Sequence, residues 1–311
     1  MPRVGPGFAF RGPGLDRSEP LRERPDELQA RWAAARVVVV DADGLARFPG
    51  DAAPPTPAGA AGRPPPPGLP RLTGAMLAPG LPAAASVLGV VDGDTWFALP
   101  HDALGDPLPA TLDLRSAAAL WSARDAAVFA QARALLHWQQ RHRHCGACGH
   151  PLALGKAGWI ARCGGCGLEH YPRTDPAVIV AVSDGERLLL GRQAGWPAKR
   201  WSVLAGFVEP GESLEDAIAR EVMEEASVPV RDCRYVASQP WPFPGSLMIG
   251  FHATGEPVEP VVDDELEAAR WFSRAELDAA VNAGEVLLSP RLSIARTLID
   301  EWLASRPRDR A

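Results

Sequence analysis

Between Gly206 and Val228 the chain reads GFVEPGESLEDAIAREVMEEASV, a stretch rich in carboxylates. Ser213 followed three residues later by Asp216 is an N-terminal capping signal, so a helix is predicted to start at Leu214. At about 100° per residue, Glu221 and Glu225 fall within an arc of about 40°, one turn apart, with Glu224 beside them. Leu214 and Ile218 lie on or next to that arc, which should therefore face inward. Two carboxylates on an inward stripe repel each other and lose hydration unless a cation compensates them. Hard oxygen ligands grouped in this way suit Mg2+ or Mn2+, ions that serve phosphate chemistry. The alternative is an acidic surface helix, which would spread its charges over the outer face.

A second grouping is made of sulfur. Four of the five cysteines form Cys145-Gly-Ala-Cys148 and Cys163-Gly-Gly-Cys166, with 14 residues between the pairs. The glycines permit tight knuckles, and two pairs bracketing a short hairpin match a tetrahedral Zn2+ site with every position filled by protein. Such a site is structural, not catalytic. A redox dithiol pair is the competing reading. The fifth thiol, Cys233, is expected to be buried or inert. The basic run Arg141-His142-Arg143-His144, with Arg162, is expected to be a solvated face.

A third grouping is Ser238-Gln239-Pro240-Trp241-Pro242-Phe243-Pro244-Gly245-Ser246. Three prolines stiffen this backbone, so Trp241 and Phe243 are presented with little ordering entropy left to lose. Rigid aromatic faces suit stacking on a planar ring. A proline-stiffened turn whose aromatics merely pack reads equally well from these residues alone.

The remaining chain must position these groups. Its 311 residues allow two domains and a small third unit, and a hydrophobic fraction of 46% supports well-formed cores. Net charge is −6, which excludes a global attraction to nucleic acid or membranes. No apolar run approaches the ~20 residues that span a bilayer, and the N-terminus lacks an apolar signal core. Together with paired cysteines that read as metal ligands, this predicts a cytoplasmic protein without membrane contact. Residues 1–30 read as a loose arm with one helical turn. A strand at Val37–Val40 turns near Asp43-Gly44, and a second hairpin turns at Asp92-Gly93-Asp94. The segment near 49–82 is too rich in Pro, Gly and Ala to order itself as regular structure. One amphipathic helix is predicted from Ser116 to about His142.

Beyond the cysteines the pattern changes. AVIVAVS and RLLLG form a hairpin around Asp184-Gly185, and WSVLAGFV leads into the acidic helix. CRYVASQ, SLMIGFHA and ARWF are further strands. A helix capped by Ser273 and Glu276 follows, and a last helix is predicted to start at Pro290 with Ser289 as its cap.

The 206–228 segment resembles the Nudix box, G-x5-E-x7-R-E-U-x-E-E-x-G-U, at Gly206, Glu212, Arg220, Glu221, Val222, Glu224, Glu225 and Val228. Ser227 stands where that pattern has glycine, in a left-handed position, at a cost on the order of 1 kcal/mol. The 238–246 segment is similar to SQPWPFPxS, which marks the NADH pyrophosphatase branch of the family. The four-Cys ribbon and the run Tyr171-Pro172-Arg173-Thr174-Asp175-Pro176-Ala177-Val178-Ile179 belong to the same resemblance, which covers residues 115–311 strongly and the first hundred only in layout. It implies a Nudix α/β/α sandwich with a mixed sheet (α/β class), preceded by the zinc ribbon and a β-rich α+β N-terminal domain. The corresponding boundaries are 1–140, 141–172 and 173–311.

The resemblance also implies roles. Catalytic Mg2+ or Mn2+ would be held by the carbonyl of Ala205 and by Glu221, Glu225 and Glu265, with Glu224 in the same cluster and a candidate base. Gly206, Glu212 and Arg220 would support the box. Phe207 and Trp241, from opposite subunits of a homodimer, would sandwich the nicotinamide. Tyr171, the 238–246 loop and Ala295 would complete the pocket, with Arg115 as a weaker carry-over. The implied reaction is hydrolysis of the diphosphate in NAD(H) to nicotinamide mononucleotide and AMP, including NAD caps on RNA 5′ ends, with one structural Zn2+ per subunit. ADP-ribose or a related nucleoside diphosphate is the alternative substrate, and a non-hydrolytic NAD-binding module the alternative class.

Overall fold

The structure is a computed structural model that describes residues 8–10, 14–50, 68–105, 108–263 and 265–305. The chain divides into two compact units. One holds Ala9–Thr174 together with Trp241–Gly245, and the other holds Asp175–Pro240 and Ser246–Ala311.

The first unit is built on a five-stranded mixed sheet. Its strands are β1 (Arg36–Val40), β2 (Ala46–Phe48), β3 (Ser86–Val91), β4 (Asp94–Pro100) and β5 (Ala110–Leu112), in the order β3-β4-β1-β2-β5. Val37 to Val40 are all buried, so β1 is covered on both faces, as its unbroken apolar run requires. Both hairpin turns fall where the Asp-Gly pairs predicted.

The N-terminal arm is more ordered than its composition implies. Glu19–Glu23 form a 3-10 turn and α1 runs over Pro25–Trp32, because Leu21, Leu28 and Trp32 are buried and anchor it. The short α2 (Gly74–Leu77) lies in the segment expected to be irregular, whose residues 51–67 fall outside those described.

The single helix expected over 116–142 is two, α3 (Leu114–Leu120) and α4 (Ala123–Arg141). Trp121 leaves the helical conformation with its ring buried. Ser122 then caps the new helix by accepting from the Asp125 amide at 3.1 Å. Three short strands follow: β6 (Leu152–Gly155), β7 (Ile160–Cys163) and β8 (Glu169–His170).

The second unit is a six-stranded mixed sheet between helices. Strands β9 (Asp175–Ser183), β10 (Arg187–Arg192), β13 (Val230–Trp241), β14 (Ser246–Gly255) and β15 (Ala268–Ser273) run in the order β13-β14-β9-β10-β15, and β12 (Leu204–Phe207) also pairs with β9. Side chains alternate across the sheet. Ile179, Ala181, Leu188 and Leu190 face a core shared with α7 (Ile294–Ala304), and Phe8 joins it. Val178, Val180, Val182 and Leu189 face the opposite core, shared with α5 (Leu214–Ala226). α6 (Arg274–Asn282) has the Ser273–Glu276 capping box foreseen for it. This is the α/β/α sandwich expected.

Two local expectations shift. WSVLAGFV is broken into β11 (Arg200–Trp201), which pairs in parallel with β16 (Leu287–Leu288), and β12. The last helix starts at Ile294, not Pro290. Ser289 is buried with its hydroxyl on Ser202, so it is not free to cap, and Ser293 accepts from the Arg296 amide instead. Among the described residues no helix is long and apolar enough to cross a membrane.

Candidate active site

α5 begins at Leu214 under a complete capping box. Ser213 accepts from the Asp216 amide at 3.1 Å, and Asp216 accepts from the Ser213 amide at 3.4 Å. It ends on Ser227, a non-glycine in the left-handed region (φ 54°) that donates its amide to Met223. The expected strained cap is present.

The inward stripe is real. Ile218 and Val222 are fully buried, and Glu225, one turn beyond Glu221, is only 3% exposed. Glu225 Oε2 is buried with no hydrogen-bond partner. Burial first, then the charges of Glu265, Glu221 and Glu224, push its carboxyl up to about 8. Burial also raises Glu221, against the pull of Arg220. The Glu221 carboxylate lies against the backbone of Gly206 on β12, where any Cβ would collide with it. Gly206 is thus required by close approach. Its neighbour Ala205 pairs with Ile179 of β9, which fixes the strand end beside the helix.

Arg220 ties this cluster together. It grips Glu212 with two nitrogens, at 2.6 and 2.9 Å, and also reaches Glu221 at 3.0 Å and Glu224 at 2.9 Å. A further N–H donates to the Phe207 carbonyl at 2.9 Å. The bond from Arg220 is the main reason that Glu212 is held down to about 2. Glu224, whose side chain is 60% exposed, faces solvent, as does the Phe207 ring.

A buried carboxylate with an unsatisfied oxygen, its charge opposed by those of three more carboxylates, has the chemistry that fits a divalent cation. The pH behaviour of the Mg2+-free protein should show it. A folded-state value near 8, above the ordinary carboxylate range, stabilises at low pH and ceases to do so as pH rises through 8. With zinc in place but without Mg2+ or Mn2+, the melting temperature should therefore fall between about pH 4.5 and pH 8, and Mg2+ should abolish that slope. Titration calorimetry at pH 7 in buffers of different ionisation enthalpy should register release of about one proton on Mg2+ binding. A flat melting profile without metal, with no proton release, would count against the cluster.

The sulfur site also fits its ion. The four Sγ atoms lie within 4.8 Å of one another, with Cys148–Cys163 at 3.3 Å and Cys145–Cys166 at 3.7 Å, spacings compatible with tetrahedral Zn2+. Knuckle amides aim at the sulfurs. Gly165 and Cys166 donate to Cys163, and the amides of Ala147 and Cys148 draw the Cys145 thiol down to about 6. Cys148 is pushed up to about 12 by the Cys163 and Cys166 sulfurs, despite a hydrogen bond from the His150 backbone that lowers it. Bare thiols here must share protons that zinc would displace.

The residues proposed for substrate fall in both units. In the second, Ser238 is half-buried and Pro240 exposed. Gln239 is fully buried, its amide spent on the Leu292 carbonyl at 2.9 Å and the Ile294 amide at 2.8 Å, so it pins the start of α7 and with it the buried Ala295. Ser246 opens β14 opposite Asp175, and the exposed Glu265 adds its charge to the box. In the first unit, Trp241 and Phe243 meet edge to face at 5.1 Å, each against Phe10. Arg115 lies 4.0 Å over the Phe243 ring. Pro242 is buried, Pro244 exposed and Gly245 half-buried, while Tyr171 is exposed and donates to Glu169. Two residues that contact this loop, Phe10 in the N-terminal arm and Arg133 on α4, carry no motif. Phe10 lies in the N-terminal arm, whose composition gives no signal of an aromatic contact.

Three family descriptions match the chain: the NUDIX domain over 173–291, the NADH pyrophosphatase zinc ribbon over 140–171, and the NADH pyrophosphatase-like rudimentary NUDIX domain over 32–138. A protein from Mycobacterium bovis named NAD-capped RNA hydrolase NudC is 39% identical over 309 residues, covering 94% of this chain and 93% of its own. The chain belongs to the NADH pyrophosphatase branch of the Nudix hydrolases. The Nudix relative NAD-capped RNA hydrolase NUDT12 from Homo sapiens is 40% identical over 218 residues, which is 66% of this chain and 46% of that one. In this Nudix hydrolase, then, the box geometry and the four-sulfur cluster belong to the matched domains.

Proposed function

We propose that this Nudix hydrolase cleaves the diphosphate of NAD(H), giving nicotinamide mononucleotide and AMP, and removes NAD from RNA 5′ ends. The observation that carries the reading is the buried, unpartnered oxygen of Glu225 among three further carboxylates. NAD as the substrate draws support from two relatives named as NAD-capped RNA hydrolases.

Glu221, Glu225, Glu265 and the Ala205 carbonyl would hold Mg2+ or Mn2+. When bound, such an ion neutralises the diphosphate and activates water for attack on phosphorus. Arg220 keeps the loop and helix in register through Glu212, and orients the Phe207 backbone. Among residues 221, 224 and 225, Glu224 alone is exposed, so it is assigned the proton of the attacking water. The exposed Phe207 and the Trp241 loop take the nicotinamide, one from each subunit of a homodimer, with Tyr171 and Arg115 at its margin. The modules are taken as 1–140, 141–172 with one Zn2+, and 173–311, working in the cytoplasm.

Incubation with NADH and Mn2+, with products separated by chromatography and identified by mass, tests this. AMP and reduced nicotinamide mononucleotide are expected. Turnover of ADP-ribose without NADH cleavage would keep the Nudix chemistry and move the substrate.

A further inference from the structure

Arg133 lies on α4 and takes part in no motif, yet it is bonded to the loop that bears Trp241. Its Nε donates to the Gly44 carbonyl in the β1–β2 turn at 3.2 Å, and a terminal nitrogen donates to the carbonyl of Pro242. Its guanidinium carbon is 5.1 Å from the Phe243 centroid, on a ring that Arg115 approaches at 4.0 Å. Gly44 has φ 78°, which favours glycine in this turn, and its backbone lies close against the Arg133 guanidinium. Among the described residues no carboxylate pairs with Arg133. Its cation is spent on a carbonyl fork and an aromatic face.

The loop has few bonds of its own. Phe243 donates its amide to Trp241 at 2.8 Å, and the two rings meet edge to face. Pro242 and Pro244 have no amide to give. The Trp241 ring packs on Phe243 and Phe10, so fixing the Pro242 carbonyl and the Phe243 ring restrains one of the two walls that orient it.

We propose that Arg133 is a positioning residue for the nicotinamide-binding loop: it clamps Pro242 and Phe243 so that Trp241 is presented in one orientation before the dinucleotide arrives. This rests on the NAD(H) reading above. Arg133 touches none of the box carboxylates, so its effect falls on nicotinamide recognition and not on phosphorus chemistry.

The test uses the full-length, zinc-loaded protein with Arg133→Lys and Arg133→Gln. Lysine keeps the charge but loses the planar fork, so it should not rescue. Amide exchange read by mass spectrometry over 238–248, without substrate, should be faster in both variants. The KM for NADH should rise about tenfold with little change in kcat, while kcat/KM for ADP-ribose is unchanged. Unchanged exchange in both variants would overturn the proposal, as would equal losses on NADH and ADP-ribose. If the parent protein fails to cleave NADH, the substrate reading falls, and loop exchange still decides the role of Arg133.

Discussion

Replacing Glu225 with glutamine should lower kcat on NADH by about 10³-fold, while replacing Glu212 with glutamine should cost only about tenfold. Glutamine matches glutamate in shape, so the 3%-exposed site stays filled and α5 keeps its packing. What is lost is the anionic oxygen proposed as a metal ligand, at the position where Oε2 has no protein partner. Several kcal/mol of metal-assisted stabilisation depend on such a ligand, and about 1.4 kcal/mol is a tenfold change in rate. The metal-free variant should melt no lower than the parent, because the substitution removes a charge that burial and three carboxylates oppose. Glu212 differs. It is a partner of Arg220, which retains Glu221, Glu224 and the Phe207 carbonyl when Glu212 is neutralised. Steady-state rates with Mn2+ separate the two roles, and comparable losses would refute the division.

Cys163→Ser should abolish stoichiometric zinc and lower the melting temperature of the first unit by about 10 °C or more. Between Cys145 and His170 the buried apolar side chains are few, chiefly Ile160, Ala161, Cys145 and Cys163, so the ribbon has too little core to fold on burial alone. Binding energy of roughly 10–16 kcal/mol for structural zinc takes the place of that core. The loss would spread, because the ribbon is tied into the mixed sheet. Trp159 donates to the Val87 carbonyl at 2.6 Å, Gln139 bonds both Gly158 and Ser86, and Arg22 stacks 3.9 Å over Trp159. Metal analysis finding one zinc per chain in the parent, and little in the variant, is the expected result. An unchanged melting curve with zinc retained would remove the structural role assigned to the cluster.

The metal-site chemistry and the box helix were legible in the sequence because they are local. Ser213 and Asp216 cap a helix within one turn, Glu221 and Glu225 share a face by periodicity, and Cys-x2-Cys knuckles close over a few residues. The NADH pyrophosphatase branch was legible because the 206–228 and 238–246 segments resemble that family's motifs. Local signals also misled. Ser289-Pro290 has the form of a helix start, but its hydroxyl is drawn into the core by Ser202, and Ser293 caps instead. Ser122 and Asp125 marked a helix break that the alanine-rich run obscured.

Sequence alone determined that the four cysteines form a metal-binding cluster and how the strands alternate, since both depend on neighbours a few residues away. Only the tertiary structure decided that Glu225 is buried with an oxygen unsatisfied, since desolvation is set by β9, β12 and the facing core. It also decided that Gln239 pins α7 and that Arg133 clamps a loop 109 residues further along the chain. No periodicity or motif encodes a contact of that sequence separation, because it exists only once two remote backbones have been folded to within hydrogen-bond reach.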